Sequence, residues 1–290
     1  MNSYKALGHL FTFVTIAIWS TAFVGNKVLL KYLTPIEIMI FRFALAYVVM
    51  LIIYPKFTPF KSIKDESFFF LLGLLGVFIY FLLENFALKY TQATNVGLFM
   101  GAIPILTAFA SYYINKDEKI TKNLIIGFII AFIGIAIILL EGREFKIRFI
   151  GDMLAFLAAI TFALYSAILK RAPKDLNSIV ITRKSFFYGL FLMLVYYLLD
   201  GNSLNTQALK NPVVYGNIIY LGLFSSGLAY ILYQQGVKRI GAISASNYIY
   251  LVPLLTAITG VIVLNEQITT TMLIAGALIL MGLYIAQKKQ

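Results

Sequence analysis

The heptapeptide Ala87-Leu-Lys-Tyr-Thr-Gln-Ala93 is echoed at Gly236-Val-Lys-Arg-Ile-Gly-Ala242, an offset of 149 residues (236 against 87). The same offset carries Pro104-Ile-Leu-Thr107 onto Pro253-Leu-Leu-Thr256, and after a one-residue slip Glu118-Lys-Ile-Thr121 falls on Glu266-Gln-Ile-Thr269. Upstream, at an offset of 143, Lys27 meets Lys170 and Trp19 meets Phe162. Self-similarity at a fixed period points to a duplicated architecture. The chain therefore divides into two related halves, residues 1–145 and 146–290.

Each half is built from apolar segments. Of 290 residues 61% are hydrophobic and only 12% charged, with a mean hydropathy of +0.88, against a usual charged share of about 25%. Runs long enough to cross a bilayer, about 20 residues each, fall near residues 8–30, 36–54, 67–88, 94–114, 122–140, 149–169, 178–199, 213–236, 241–264 and 270–287. Most are apolar on every face, as lipid-embedded helices must be, and none shows the period-2 alternation of a membrane strand. The expected fold is an all-α integral membrane protein of ten transmembrane helices, five per half. An odd number of spans reverses the second half in the membrane, so the halves are expected to form an inverted-topology repeat. The first segment is too long for a signal h-region and no small-residue cleavage motif follows it, so it reads as a retained span.

The net charge of +12 would suggest nucleic acid in a soluble chain, but the cations lie mostly in short loops, where they set topology. Fourteen of the 24 lysines and arginines fall on the amino-terminal side and seven on the other, while Arg42, Arg183 and Lys184 lie inside spans. Both termini are therefore expected in the cytoplasm, with the chain in the cell (inner) membrane. With no cysteine and the single histidine His9, thiolate and multi-histidine metal sites are excluded. Paired acids, a nucleophile elbow and a phosphate-binding glycine loop are also missing, so no enzyme, cofactor or nucleotide site is expected. A channel would need charge rings or a repeated filter sequence. Neither occurs.

Two similar halves of opposite orientation enclose a site near the midplane and open it to either side by exchanging conformations. Matched helix interruptions point to that site. Pro104 and Pro253 stand mid-helix in corresponding spans, where each frees a carbonyl and bends its helix, and they read as hinges; Thr107 and Thr256 are near enough to satisfy the freed carbonyls. Polar and aromatic residues also match: Asn85 with Gln234, Phe81 with Tyr230, Asn95 with Ser244, Phe99 with Tyr248. Asn95 and Phe99 share a helix face, as do Tyr230 and Gln234, and Ser244 and Tyr248, being four apart. An amide beside a ring suits a small zwitterion with an apolar body. Trp19, Tyr80, Tyr165 and Asn247 complete a candidate lining. These residues serve equally well as inter-helix contacts.

Charged residues within spans are functional candidates by default. Arg42, about 9 Å from its helix end at 1.5 Å per residue, and Arg183, at similar depth in the other half, are placed like two gates, each able to attract a carboxylate; snorkelling is the alternative, and it is the reading favoured for Lys184 and Lys27. Glu84 is the most deeply placed acid. Inside a cavity it could take up a proton on one side and release it on the other, which makes it the candidate for proton coupling; it is also near enough to its helix end to snorkel or pair with Lys89. Glu37, Asp152 and Asp200 sit at span ends and read as interfacial.

In order and spacing, Ala17-Ile-Trp-Ser-Thr-Ala-Phe23, Ile40-Phe-Arg-Phe43, Phe86-Ala-Leu-Lys-Tyr-Thr91 with Ala93, Pro104, and the closing Glu266, Gly276 and Gly282 resemble the drug/metabolite transporter superfamily, in its ten-helix EamA-type branch. The likeness covers nearly the whole chain. It departs at Asn115-Lys-Asp-Glu118, where the family would have leucine, glycine and glutamate, and at Phe162, where the family has tryptophan. The resemblance implies a central cavity and the export or exchange of small metabolites, often amino acids or related compounds. The expected function is thus a secondary transporter of small polar metabolites, amino-acid-like compounds first, working in the lipid bilayer by alternating access as a monomer or homodimer. The alternatives are an exchanger of phosphorylated or nucleotide-like solutes, which would need more cations at the cavity, and a non-transporting membrane scaffold.

Overall fold

A computed structural model describes residues 3–56, 62–91, 93–116, 119–140, 148–173, 175–200, 204–264 and 269–288. Among them every regular element is helical. In chain order these are α1 (Ser3–Leu29), α2 (Pro35–Ile53), and α3, which runs Ile63–Tyr90 through a stretch of π-helix at Leu74–Ile79. Next comes α4, interrupted between Ala93–Met100 and Ile103–Asn115, followed by α5 (Lys122–Leu140), α6 (Phe149–Leu169) and α7 (Ser178–Asp200). A short 3-10 turn, Thr206–Lys210, leads to α8, Pro212–Ile240, again with π-helix inside it at Leu221–Leu228. The last two are α9, formed by Ala242–Ser246 and Leu251–Leu264 around a 3-10 segment Asn247–Tyr250, and α10 (Thr270–Gln287). Among the described residues eight helices are long and apolar enough to cross a membrane, and α9 adds a shorter apolar stretch, Ala242–Thr256.

Local chemistry sets the boundaries. The Thr34 hydroxyl accepts from the Glu37 amide (3.5 Å), and Glu37 Oε2 accepts in return from the Thr34 amide (2.7 Å), a capping box with Pro35 opening α2. Glu37 Oε1 also takes the Asn205 amide at 2.5 Å. Expected at the interface, Glu37 is instead buried as a cap. Asp152 differs in the same way: it is buried at the start of α6, accepting from the Thr91 hydroxyl (2.6 Å) and the Arg148 amide (2.9 Å). Helices α3 and α8 run past the expected spans because Ser62 caps the first and Lys238 and Arg239 suit the carboxyl end of the second. Gly241, at φ 86°, then turns the chain.

The packing joins elements of the two halves in matched pairs. α1 lies along the part of α8 beyond its π segment, and α6 along the corresponding part of α3; α2 meets the π segment of α8, as α7 meets that of α3. α5 and α10 pack on each other through Gly127 and Gly282. A Cβ on Gly127 would stand 2.5 Å from the Gly282 carbonyl oxygen, and one on Gly282 would stand 2.6 Å from that of Gly127. Small residues of this kind let membrane helices approach backbone to backbone. Because Lys5 and His9 of α1 share a cavity wall with Gln287 of α10, α1 begins and α10 ends at the same end of the bundle, below called the terminal end.

Candidate functional site

Between the halves lies a cavity of about 630 Å³ that reaches from the bundle centre toward the far end, where Leu88, Ile138, Leu139 and Thr269 border it. Its wall is largely apolar and aromatic, with Trp19, Tyr80, Phe81, Phe162 and Tyr230 at its inner part. Two charged groups of opposite sign interrupt it, Arg42 from α2 and Glu84 from α3.

Arg42 is 3% exposed. Its Nε donates to Ser226 Oγ (2.8 Å) and its Nη2 to Ser225 Oγ (3.1 Å), while the guanidinium carbon stands 4.8 Å from the Phe81 ring centroid and 5.2 Å from that of Phe43. Cation–π contact of this kind strengthens on desolvation. Glu84, also 3% exposed, accepts from the Tyr80 hydroxyl at 3.1 Å. The carboxyl neither snorkels nor turns to Lys89. It shares the cavity wall with the Arg42 guanidinium, a buried cation of opposite sign.

Ser225 and Ser226 escaped the sequence reading. Their signal was the Ser225-Ser-Gly227 tripeptide in the midst of an apolar span. They lie within the π segment of α8, and π turns inside α-helices are frequent at functional sites. The two π segments also match in position. At the repeat offset Gly76 corresponds to Ser225, and both carbonyls accept from an aromatic donor: Gly76 from the Tyr230 hydroxyl (2.7 Å), Ser225 from Trp19 Nε1 (3.1 Å).

An aromatic layer closes the cavity on the terminal side. Trp19 meets Phe162 edge to face at 5.7 Å between centroids, Tyr230 at 5.7 Å and Tyr233 at 5.3 Å. Tyr165 adjoins Phe162 and Tyr230 without lining the cavity, and Tyr233 is held by a 2.9 Å hydrogen bond to Ser166. Beyond the layer a second cavity, of about 920 Å³, opens at the terminal end.

The structure thus separates the expected site residues. Trp19, Arg42, Tyr80, Glu84 and Tyr230 come together on the first cavity, joined by Pro253. Gln234 and Tyr248 line the second, where Gln234 Oε1 accepts from Thr182 (3.0 Å) and the Tyr248 hydroxyl bonds His9 Nδ1 (2.9 Å). Tyr230 and Gln234, one turn apart, therefore serve different chambers. Asn85 is buried with its Nδ2 turned back onto the Phe81 carbonyl (2.8 Å), and Phe99 packs on Phe156; neither lines the first cavity. Asn247 is 1% exposed, and neither atom of its amide has a hydrogen-bond partner among the described residues. In sequence it adjoins Tyr248, which lines the second cavity, and stands two residues before Ile249, which lines the first. The side chains of Asn95, Lys27 and Asp200, and residues Glu118 and Glu266, lie outside the described residues.

Both prolines stand beside helix interruptions. Pro104 is the second residue after the break in α4, and Pro253 the third after the 3-10 segment of α9. The threonines do not satisfy the carbonyls those breaks free: Thr256 donates to the Ser20 carbonyl (3.3 Å) and the buried Thr107 hydroxyl has no partner among the described residues. Arg183 differs from Arg42. It donates from Nη1 to the Tyr54 carbonyl and from Nη2 to that of Lys56, each at 2.5 Å, tying α7 to the end of α2. Lys184, expected to snorkel, is paired with Glu66.

A model of the EamA-like transporter family matches the chain twice, over residues 6–140 and again over 149–287. Among known proteins, the chain is 31% identical over 268 residues to the uncharacterized transporter YyaM of Bacillus subtilis, covering 90% of this chain and 87% of that one. An uncharacterized transporter of Clostridium kluyveri is 26% identical, covering 95% and 91% of the two chains, and one of Archaeoglobus fulgidus is 26% identical, covering 97% and 98%. One solved crystal structure shares the fold at a TM-score of 0.80 and 19% identity, over 96% of this chain and 97% of that one.

Proposed function

Because the chain belongs to the EamA-like transporter family, a multi-pass membrane protein that carries a small molecule, we propose that it is a secondary carrier of amino acids or amino-acid-like metabolites, working by alternating access. The observation that carries the substrate class is the presence of Arg42 and Glu84, opposite in charge, on the wall of one largely apolar cavity. A zwitterion with an apolar side chain offers a carboxylate to the guanidinium, an ammonium to the carboxylate, and a body to the rings of Trp19, Phe81 and Tyr230. A neutral apolar solute would leave both charges unanswered, at the cost of desolvating them.

In this reading the chain crosses the membrane ten times, as two five-helix halves of inverted topology meeting near residues 145 and 146. The double family match, the π segments at corresponding positions and the matched packing of α1 on α8 and α6 on α3 support it. The aromatic layer is the barrier that moves: rocking the halves about the interruptions beside Pro104 and Pro253 would open it on the terminal side while closing the far end, as inverted repeats exchange conformations. The terminal end faces the cytoplasm across the inner membrane, following the cation count, and net movement is outward. Glu84, set beside the binding cation, couples the carrier to protons by cycling between charged and neutral forms.

The test is counterflow in proteoliposomes preloaded with pools of amino acids, organic acids or nucleotides, each with and without a pH gradient. Uptake with the amino-acid pool is the expected result. Uptake confined to the nucleotide or organic-acid pools, or silence from every pool in protein shown to be folded, overturns the substrate assignment.

A further inference from the structure

The first cavity is longer than a zwitterionic head. Trp19, Ala22 and Asn26 all line it, and their spacing of three and four residues puts them on one face of α1. Trp19 marks the level of the head: its Nε1 donates to the Ser225 carbonyl (3.1 Å), while Arg42 Nη2 donates to the hydroxyl of the same serine (3.1 Å). Asn26 stands seven residues further along α1 (26 against 19), about 10 Å nearer the far end at 1.5 Å per residue. Asn26 is 9% exposed, and its buried Oδ1 has no hydrogen-bond partner among the described residues. Among the described residues lining this cavity it alone carries such an unpaired atom. Thr256, also on the wall, already donates to the Ser20 carbonyl. A buried acceptor left unmet costs the protein until a partner answers it.

We infer that the outer part of this cavity is a second subsite, where Asn26 receives the uncharged hydrogen-bonding terminus of an elongated zwitterion whose head lies at Arg42 and Glu84. The inference rests on the amino-acid reading and narrows it. An extended chain advances about 3.3–3.6 Å per three bonds, so about nine bonds separate the carboxylate from that terminus. A hydroxyl, amide or ureido group suits the site, because an asparagine amide both donates and accepts. A charged terminus does not: Arg42 and Glu84 are the only charged residues among the described lining, and an ion buried without a partner is costly. An apolar chain of equal length would seal Oδ1 in hydrocarbon, still unpaired. The cavity's volume of about 630 Å³ lies within the range of about 300–1,000 Å³ usual for organic ligands, so it has room for such a solute.

Trp19, the sole tryptophan, lines the cavity, so its fluorescence in the purified full chain reads binding without turnover. Citrulline has close to the required length and an uncharged ureido terminus. α-Aminooctanoate matches that length with an apolar terminus, lysine carries a charged one, and butylurea is citrulline without its head. Citrulline should bind at least about tenfold more tightly than α-aminooctanoate, the worth of one well-made hydrogen bond. Asn26→Leu should erase that preference, and Asn26→Asp, which places an anion there, should move it to lysine. Equal affinity for citrulline and α-aminooctanoate in the unaltered protein overturns the inference. So does a preference that survives both substitutions in protein that still binds these solutes. Failure of the amino-acid reading looks different: if no zwitterion binds while butylurea does, and Asn26→Leu abolishes that binding, the subsite stands and the head assignment falls. Silence from all four probes overturns both.

Discussion

Arg42 reaches across from α2 to place its Nε 2.8 Å from Ser226 Oγ, inside the π segment of α8. The contact joins a helix of the first half to the irregular turn of the second. It also fixes the guanidinium on the cavity wall, where a hydrogen bond to an ionised group is worth about 1.5–3 kcal/mol.

Arg42→Ala should therefore weaken transport of a zwitterionic or anionic solute at least about tenfold, the equivalent of 1.4 kcal/mol, and disturb a neutral analogue much less. Competition by the two solutes for counterflow measures this. Equal losses for both would make Arg42 a structural anchor of α8.

Glu84→Gln keeps an acceptor for the Tyr80 hydroxyl, now 3.1 Å away, but removes the charge and the exchangeable proton. Exchange without a gradient should persist but need more solute, because the ammonium loses its charged partner, while stimulation by a pH gradient should vanish. A variant that still responds to the gradient as the unaltered protein does would take Glu84 out of the coupling.

The π segment of α3 is tightly enclosed. A Cβ on Gly76 would collide with the Tyr165 ring, so Gly76→Ala should destabilise the protein by about 1–3 kcal/mol, the usual cost of overpacking. By contrast, Gly216 has nothing within 4 Å of its would-be Cβ. Gly216→Ala should be neutral or stabilise α8 by up to about 1 kcal/mol, through helix propensity. Thermal unfolding in detergent compares them, and a Gly76→Ala protein as stable as Gly216→Ala would show that the tyrosine moves aside freely.

Asn247 buries an amide with neither end paired among the described residues, an arrangement that costs about 1–3 kcal/mol. Asn247→Leu should raise the unfolding temperature. If Asn247 receives the solute or a neighbouring helix when the cavities exchange, the same variant should transport more slowly despite being more stable. Unchanged transport would leave it a structural residue only.

The alignment of Ala87–Ala93 with Gly236–Ala242 and the apolar runs between charges made the helical elements and their order legible without coordinates, because lipid leaves a chain few ways to satisfy its backbone. The helix interruptions beside Pro104 and Pro253 were legible for a similarly local reason, the missing amide of proline. So was the membership of Trp19, Arg42, Tyr80, Glu84 and Tyr230 in a candidate lining, since polar and aromatic residues stand out in an apolar span. The sequence could not say that these five share one cavity while Gln234 and Tyr248 face another. That depends on how α8 and α9 cross the bundle, and on π turns that shift side-chain register partway along a helix. Nor could it find Ser225 and Ser226 as the partners of Arg42, or distinguish Arg42 on the cavity from Arg183 on the carbonyls of Tyr54 and Lys56. Local residues fix where helices begin, end and bend; which buried charge meets which partner is decided by contacts between helices far apart in the chain, and only the tertiary structure contains them.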